Sequence, residues 1–354
     1  MLGASLATTV TCMNRNLSRR DFLKLAGITS AGIVLSACGI KATESPTPIA
    51  TSLPPTETPG LTTKPLNPGE FWRPFGDDSP WNTPIGFDPE IDPDSDAMID
   101  TLRDSVSEGH IGINHAAWTI PVYYADANTP TYAVRCLNNW GCGCEIGFIE
   151  NVPIPDGAMP DPMDDHHMAV VDLSHQRSWD LWRAQAVPGG WETGSGCIFD
   201  LNGTGVLPDG VGSARASGFP LLAGLIRLAE IQRGYIDHAL VMAYDFPRAE
   251  YVYPASTPDN SGGPYGIPNG GHIQLDPSLD LDSLGLSPVA RIIARALQEY
   301  GAYKGDVAGG IVLYAEGLYG KRPLTWDGIL TGDDIAGIPL QHFRVLKLPP
   351  LKTW

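Results

Sequence analysis

The sequence predicts a mainly β fold, a jelly-roll-like β-sandwich with about three packed helices, with an α+β fold as the alternative. After residue 71, short runs of alternating apolar and polar residues recur between Gly, Pro, Asn and Asp, as in strands joined by turns. The chain contains 40 Gly and 32 Pro, above average usage, which favours turns and short elements. Few segments have helical spacing, so strands are expected to dominate.

Period-2 alternation marks the predicted strands, because successive side chains of a strand point to opposite faces of the sheet. The predicted strands cover residues 117–124, 132–137, 168–172, 179–183, 239–243, 272–275 and 310–314. No repeat with a period of about 20–50 residues is visible, which argues against a propeller or a solenoid.

Helical spacing and capping residues define the predicted helices. They cover residues 94–105, 219–233 and 287–300. The first begins at Asp94 or Ser95 as N-cap, and the second contains the apolar run LLAGLIRLAEI and stops at Gly234. The third has Ser287 as N-cap, a proline in its first turn and Gly301 at its end, which is a complete set of helix boundary signals.

The N-terminus predicts export. Residues 18–24 (SRRDFLK) resemble the twin-arginine export signal of bacteria, and residues 35–38 (LSAC) resemble a lipobox, whose cysteine receives a lipid. The apolar run between them is too short to span ~30 Å of hydrocarbon. We therefore expect residues 1–37 to be a removed signal peptide. The mature protein would be held on the outer face of the cell membrane by a lipid on Cys38.

The rest of the chain divides into a linker and one domain. Residues 38–67 are rich in Thr and Pro and nearly free of large apolar side chains, so they are expected to form a stiff, extended tether. Residues 68–354 are expected to form a single β-rich globular domain. No apolar run there approaches 18 residues, so the Cys38 lipid is the only membrane contact that the sequence predicts.

Charge and motifs narrow the function classes. A net charge of -17 and a pI near 4.7 argue against nucleic acid or an anionic membrane surface as partner. The chain lacks the G-x-S-x-G elbow, the H-E-x-x-H motif, a phosphate-binding Gly loop and the dinucleotide fingerprint. The sequence therefore predicts no cofactor and no metal.

Four cysteines belong to the predicted domain: Cys136, Cys142, Cys144 and Cys197. An even number in an oxidising compartment favours two disulfides. Cys142 and Cys144 are too close to bridge each other comfortably, so each is expected to pair with Cys136 or Cys197. A four-thiolate metal site is the alternative, although the two C-x-x-C knuckles of such sites are missing.

Three further stretches carry a resemblance. Residues 165–172 (DHHMAVVD), 234–240 (GYIDHAL) and 296–303 (ALQEYGAY), the last followed by Asp306 and a Gly-Gly strand, are similar to segments of secreted bacterial proteins of unassigned function. The resemblance covers roughly residues 75–320. Those proteins often occur beside glycan-degrading systems, so the resemblance implies a role near glycans but supplies no catalytic residues.

The richest polar cluster is a predicted β-hairpin. If four residues form its loop, Asp172 pairs with the fifth residue after it, and the numbers of any two paired residues add up to 349. Asp165 and His167 then share a face with Asp180 and Trp182. A three-residue loop would shift this register by one. Carboxylates, an imidazole and an indole on one face suit a glycosidase or lyase cleft. The alternative is a hairpin with a core Trp and turn-capping Asp residues.

Other candidates are more isolated. His238, beside Asp237 at the start of an apolar strand, is a possible base or a satisfied core histidine. Trp81 and Asn82 belong to an aromatic loop that either binds substrate or anchors the start of the domain. The weaker candidates are His272, Glu316 and Glu145. The neighbouring Asp and His residues of the hairpin could also seed a metal site, but only with a distant third ligand.

Together these observations predict a cell-surface enzyme that cleaves an extracellular polysaccharide. Hydrolysis would use paired Asp or Glu residues, whereas β-elimination would use a His or Tyr base with an Arg that neutralises a uronate. The predicted catalytic residues are Asp165, His167, Asp180 and His238, with Trp182, Trp81 and Asn82 binding the substrate. A non-catalytic glycan-binding or cell-wall-associated lipoprotein is the alternative.

Overall fold

Strands make up most of the regular structure. The computed structural model describes residues 72–353 except 106, 108, 260–261 and 320–323; the predicted signal peptide, the linker and Cys38 lie outside the described residues. Strand content is 27% and helix content 14%, which confirms the predicted mainly β, sandwich-like fold with few helices. The strands are β1 (Ile111–Asn114), β2 (Ile120–Tyr124), β3 (Thr131–Cys136), β4 (Phe148–Pro153), β5 (Met168–Asp172), β6 (Arg177–Trp182), β7 (Gln185–Val187), β8 (Gly190–Thr193), β9 (Ser195–Asp200), β10 (Leu240–Ala243), β11 (His272–Leu275), β12 (Ala302–Asp306), β13 (Ile311–Tyr314), β14 (Glu316–Gly317) and β15 (Phe343–Val345).

These strands form three sheets. The largest has the order β1-β13-β10-β12-β11-β15, the second β14-β2-β5-β6-β9 and the smallest β4-β3-β8-β7. The sheets are mixed: β1 with β13, β10 with β12 and β2 with β5 pair in parallel, whereas β5 with β6 and β6 with β9 pair antiparallel. Parallel neighbours need long connections, and these connections bring distant parts of the chain into one layer.

The helices cover one face of the six-stranded sheet. They are α1 (Ser95–Arg103), α2 (Leu228–Arg233) and α3 (Pro288–Glu299). Met98 and Leu102 of α1 and Ile293 of α3 share a buried cluster with Leu240 and Met242 of β10. Fully burying each such side chain contributes roughly 1.5–3 kcal/mol, so this layer is a major source of stability.

The opposite face of the six-stranded sheet shares a core with the five-stranded sheet. Val241 and Ala243, which alternate with the helix-facing residues of β10, pack in one cluster with Ala169 and Val171 of β5 and Phe199 of β9. We call this the intersheet layer. It is the interior of the sandwich, and several of the polar side chains considered below lie in it or beside it.

The other face of the five-stranded sheet is covered by the four-stranded sheet. Met168 and Val170 of β5 alternate with the intersheet residues and pack in a third cluster with Val134 of β3 and Ile149 of β4. Strand β5 is therefore buried on both faces, which explains its continuous apolar sequence.

The predicted hairpin is confirmed in its register. Strand β5 pairs antiparallel with β6, and Asp172 lies opposite Arg177, so residues 173–176 form the four-residue loop. Ala169 lies opposite Asp180, which places Asp180 on the intersheet face as the alternation requires.

Two of the three predicted helices are confirmed, and the third is shorter than predicted. The predicted helix 219–233 begins only at Leu228, because Gly224 has a φ of 66° and Ile226 forms a bridge with Ala315. A Cβ on Gly224 would lie 2.3 Å from the backbone nitrogen of Val241, so this glycine allows a close approach to β10. The apolar content of residues 219–227 therefore led to a helix prediction that begins too early.

The two predicted disulfides are present as Cys136–Cys144 and Cys142–Cys197. The first joins the end of β3 to the loop that follows it, and the second joins that loop to β9. As predicted, Cys142 and Cys144 each pair with another cysteine rather than with each other. All four cysteines are therefore oxidised, so none of them provides a thiolate for the alternative metal site.

The described residues belong to one compact unit. Among them, no helix combines the length and the apolar character that crossing a membrane requires.

Candidate active site

Charged side chains from five parts of the chain meet in and beside the intersheet layer. Electrostatic interactions and hydrogen bonds link them, and most are removed from solvent. Burying charged groups is costly unless they are paired, so a cluster of this kind marks a candidate functional site. We call it the polar cluster, and its members are Asp165, His167, Asp180, Arg215, Asp259, Lys304, Asp306 and Tyr314.

Lys304 is the first of two buried cations. Its side chain is 0% exposed, and its Nζ donates to Oδ2 of Asp259 at 3.1 Å and to Oδ1 of Asn269 at 2.6 Å. Burial lowers the pKa of Lys304, and the attraction of Asp259 opposes that shift. Asn269 also donates to the carbonyl of Thr257 at 2.9 Å, so it fixes the segment that leads to Asp259. Lys304 and Asn269 together hold Asp259 in place.

Arg215 is the second buried cation, with a side chain 1% exposed. Its Nη1 donates to backbone carbonyls, its guanidinium carbon lies 5.1 Å from the ring centre of Tyr314, and its Nε lies 3.9 Å from Oδ2 of Asp306. Nε and Nη2 have no hydrogen-bond acceptor within the described structure. A buried guanidinium with two unused N–H donors is unusual, and it faces Asp306.

A tight turn holds Arg215 in this position. The Oγ of Ser213 accepts from the Arg215 backbone N–H at 3.1 Å and donates to the carbonyl of Phe219 at 3.0 Å. Gly218 closes the turn with a φ of 80°, and a Cβ there would collide with Ser256. The Gly- and Ser-rich sequence is therefore required by the close packing around Arg215.

Asp306 ends strand β12 at an irregularity in the sheet. The register between β10 and β12 shifts so that Met242 pairs with Lys304 but Ala243 with Asp306. Such a bulge redirects the side chains that follow it. The Asp306 side chain is 19% exposed, so it lies at the edge of the buried cluster rather than inside it.

The surroundings of Asp306 favour its protonated form. Burial, and then the nearby charge of Asp259, raise the pKa of Asp306 to about 7 against the opposing effect of Arg215 and Lys304. A partly exposed carboxyl group with a pKa near neutrality can both donate and accept a proton at physiological pH. Its neighbour Asp259 has a side chain 17% exposed, so both carboxyl groups reach solvent.

The predicted hairpin brings Asp165, His167 and Trp182 to the same cluster. The Trp182 indole N–H donates to Oδ1 of Asp165 at 3.1 Å, and the Arg183 guanidinium lies 4.4 Å from the Trp182 ring centre. Burial lowers the pKa of His167, whose Nε2 lies 3.2 Å from the carbonyl of Ala214. Since a carbonyl only accepts, Nε2 carries the hydrogen, and His167 braces the residue that precedes Arg215.

Asp180 is the fully buried carboxyl group of the cluster. Its Oδ2 accepts from the backbone N–H of Leu221 at 2.6 Å, and its Oδ1 has no hydrogen-bond partner in the described part of the chain. Burial raises its pKa to about 7, although Leu221 and Arg215 act in the opposite direction. Without access to solvent Asp180 does not reach a polymer, so its predicted role as a catalytic acid or base is not supported by its position.

His238 is not part of the polar cluster. Its Nε2 lies 2.9 Å from Oε1 of Glu230 and its Nδ1 lies 2.9 Å from the carbonyl of Ala239, while Arg227 pairs with the same carboxylate at 2.6 Å. Burial would raise the pKa of Glu230, but Arg227 and His238 outweigh it and lower this pKa to about 2. The group is a buried ion-pair network, so these contacts favour a structural role of His238 over the predicted catalytic one.

Trp81 and Asn82, predicted to bind substrate, are both buried. Trp81 packs edge-on against Phe219 with ring centres 5.2 Å apart. The Asn82 side chain donates to the carbonyls of Pro74 and Gly76 at 2.9 Å each. These contacts favour the alternative in which the aromatic loop anchors the start of the domain over the predicted substrate-binding role.

The weaker candidates are scattered. Glu316 is buried, Glu145 is exposed, and His272 stacks on Tyr303. No group of three or more His, Cys, Asp or Glu side chains that could hold a metal ion occurs among the described residues.

Sequence reasoning missed Arg215, Lys304, Asp259 and Tyr314, and it placed Asp306 only within a resemblance. Two signals were present. Lys304 is a lone cation inside a strand with buried neighbours, and Arg215 is a lone cation in a Gly- and Ser-rich turn. Both patterns indicate a buried charged side chain with a specific role, since Lys and Arg are rarely buried without a partner.

A comparison of the chain with protein families, curated proteins and solved structures returned no match.

Proposed function

We propose that this protein is an exported, Cys38-anchored cell-surface enzyme that hydrolyses glycosidic bonds of an extracellular polysaccharide at the polar cluster. The observation that supports this proposal best is the pair of partly exposed carboxyl groups, Asp259 and Asp306, each backed by a fully buried cation. Glycoside hydrolysis needs one carboxylic acid and one carboxylate near the same bond.

Asp306 would be the general acid. Its pKa of about 7 keeps much of it protonated at neutral pH, so it can give a proton to the glycosidic oxygen as the bond to the anomeric carbon breaks. The resulting carboxylate would then be stabilised by Arg215, whose Nε lies 3.9 Å away and has no other acceptor in the described structure. The unused Nε–H of Arg215 thus lies near the oxygen where negative charge develops.

Asp259 would act as the carboxylate partner. Its ion pair with Lys304 and the anchoring of Lys304 by Asn269 fix its position beside Asp306. It would remove a proton from a water molecule whose oxygen bonds to the anomeric carbon, or attack that carbon itself before water releases the sugar. In both routes one water is consumed and two hydroxyl ends are formed. Asp165, held by the Trp182 indole, would bind sugar hydroxyls at the rim.

β-Elimination is less well supported by the same geometry. Burial raises the pKa of Tyr314 well above its usual value, which makes the phenolate scarce, and His167 uses Nε2 on a backbone carbonyl. Arg215 could face a uronate, but the carboxylate of Asp259 and the ionised fraction of Asp306 would repel an anionic sugar. Hydrolysis of a neutral glycan fits the charges better.

The test is reducing-end release from a panel of plant, algal and cell-wall glycans. Asp306→Asn should lower turnover by ~10²-fold or more, because the amide cannot donate the proton. Asp237→Asn is the matched control, since Asp237 is 22% exposed and paired with Arg233 outside the cluster. Full activity of Asp306→Asn would refute the proposal. Binding without turnover across the whole panel would favour the non-catalytic glycan-binding alternative.

A further inference from the structure

A cleft of about 370 Å³ opens beside strand β12. This volume lies within the range of small-ligand sites. Tyr253, Tyr303 and His272 line it together with Pro80 and Pro84. The Tyr253 side chain is 49% exposed although it is large and aromatic, so a bound ring could cover apolar surface that now faces water.

The aromatic floor of the cleft is rigid. The His272 ring stacks on the Tyr303 ring with centres 3.9 Å apart and planes 19° apart. Tyr303 in turn packs edge-on against Trp81 at 6.3 Å and Phe219 at 6.4 Å, both of which belong to the buried core. The buried Trp81 therefore supports this floor from below. A flat, fixed aromatic surface loses little conformational freedom when a ligand stacks on it.

Two polar groups of the cleft only accept hydrogen bonds, whereas the hydroxyl groups of its tyrosines both donate and accept. The Nε2 of His272 lies 2.7 Å from the carbonyl of Tyr300, so it carries the ring hydrogen, and burial lowers the pKa of His272 to about 4. The neutral ring therefore presents Nδ1 as an acceptor. Asp78 adds a carboxylate, and the lining described here contains no Lys or Arg. Acceptors without a cation suit hydroxyl donors and disfavour an anionic ligand.

The cleft lies close to the carboxyl pair. Tyr303 precedes Asp306 by three residues on β12, which corresponds to roughly 10 Å at ~3.3 Å per residue. Tyr253 and Asp259 also belong to one connection, the segment between β10 and β11. A polymer that lies across Asp306 can therefore extend into the cleft.

We infer that this cleft is a binding subsite for a neutral pyranose ring of the polysaccharide, an inference that rests on the proposed function. The apolar face of the sugar stacks on the tyrosines, and its hydroxyl groups donate to Nδ1 of His272 and to Asp78. A proline-rich peptide would match the aromatic surface, but its prolines have no N–H donors for these acceptors. The acceptors therefore favour a sugar.

Calorimetric titration of the full-length protein carrying Asp306→Asn tests this inference, because the probe is then not cleaved. The probes are cellohexaose, xylohexaose, mannohexaose and maltohexaose. Tyr253→Ala should weaken the binding of at least one probe by about tenfold or more. Tyr265→Ala is the control, since this tyrosine is 50% exposed and does not line the cleft.

The outcomes separate the subsite from the proposed reaction. Equal affinities of Tyr253→Ala and its parent, or no binding of any of the four sugars, would overturn the subsite. Binding of a proline decapeptide that Tyr253→Ala abolishes, with no sugar bound, would replace it by a peptide site. Tyr253-dependent sugar binding without turnover of the unmutated protein on any glycan would keep the subsite and reject the hydrolase.

Discussion

Asp180 offers a sharp test of the buried part of the polar cluster. Its pKa is about 7 in the folded protein, whereas the same carboxyl ionises near 3.8 when unfolded. A carboxyl group whose pKa is higher in the folded than in the unfolded protein does not affect stability at a pH below its unfolded pKa. Between the unfolded and the folded pKa, the free energy of unfolding falls as the pH rises. Ionised Asp180 therefore destabilises the fold at neutral and alkaline pH.

The magnitude follows from the two pKa values. With about 1.4 kcal/mol per pKa unit, the cost of Asp180 is about 1.5 kcal/mol at pH 5 and about 4 kcal/mol at pH 8. Asp180→Asn has nearly the same shape and keeps an oxygen for the Leu221 N–H, but it does not ionise. The free energy of unfolding of Asp180→Asn relative to the parent should therefore improve by about 2.5 kcal/mol between pH 5 and pH 8.

Urea unfolding at several pH values measures this difference. Asp306 titrates in the same range but is present in both proteins, so its contribution largely cancels. Asp172→Asn is a control from the same hairpin: hydrogen bonds from Ser174 and His175 outweigh burial and lower the pKa of Asp172, so this variant should lose stability at pH 8. A stability difference for Asp180→Asn that does not vary with pH would refute the argument. A ~10²-fold loss of activity in folded Asp180→Asn would restore its predicted catalytic role.

Three further predictions concern the ion-pair network, the disulfides and the anchor. Glu230→Gln should lower the free energy of unfolding by about 3 kcal/mol at pH 7, because the pKa of Glu230 falls from 4.5 to about 2 on folding. This loss should vanish as the pH falls from about 4.5 to 2, and denaturant titrations at pH 7 and pH 3 measure it. Replacing the Cys142–Cys197 pair by serines should lower the free energy of unfolding by about 4 kcal/mol, and replacing the Cys136–Cys144 pair should lower it by about 2.5 kcal/mol, because the two bridges span 55 and 8 residues. Equal melting temperatures of the two variants would contradict this. Cys38→Ala should release the protein from membranes or stop its processing, and unchanged retention in a fractionation experiment would reject the lipid anchor.

Local sequence rules were sufficient for the hairpin and for two helices. A four-residue loop between alternating strands fixes the pairing of Asp172 with Arg177, because a loop one residue shorter or longer would place apolar residues opposite polar ones. The helix that ends at Glu299 has every boundary signal in its own sequence. The helix at Leu228 was predicted too long because the close approach of Gly224 to β10 is a tertiary contact, which apolar periodicity does not encode.

The candidate site was predictable only where one hairpin builds it. Asp165 and Trp182 meet because strands β5 and β6 are neighbours in sequence. Lys304 and Asp259 meet because a parallel pair of strands, β10 and β12, is joined by a connection of nearly sixty residues that includes Asp259, which no short-range pattern reveals. Trp81 shows a different limit of sequence patterns: an aromatic residue in a polar loop suggests a ligand platform, yet its ring is buried and packs against Tyr303.

The two buried cations explain why the carboxyl pair persists at the edge of an apolar layer. A buried lysine or arginine without a partner would cost several kcal/mol, and a carboxylate at the same depth would cost a similar amount. Placed together, Lys304 with Asp259 and Arg215 with Asp306 offset much of each other's desolvation. The compensation is unequal, since Asp259 accepts a hydrogen bond from Lys304 at 3.1 Å, whereas Asp306 lies 3.9 Å from Arg215. Asp259 is therefore held by its cation, whereas Asp306 keeps a proton near neutral pH. A general acid and a carboxylate partner require this difference between two carboxyl groups.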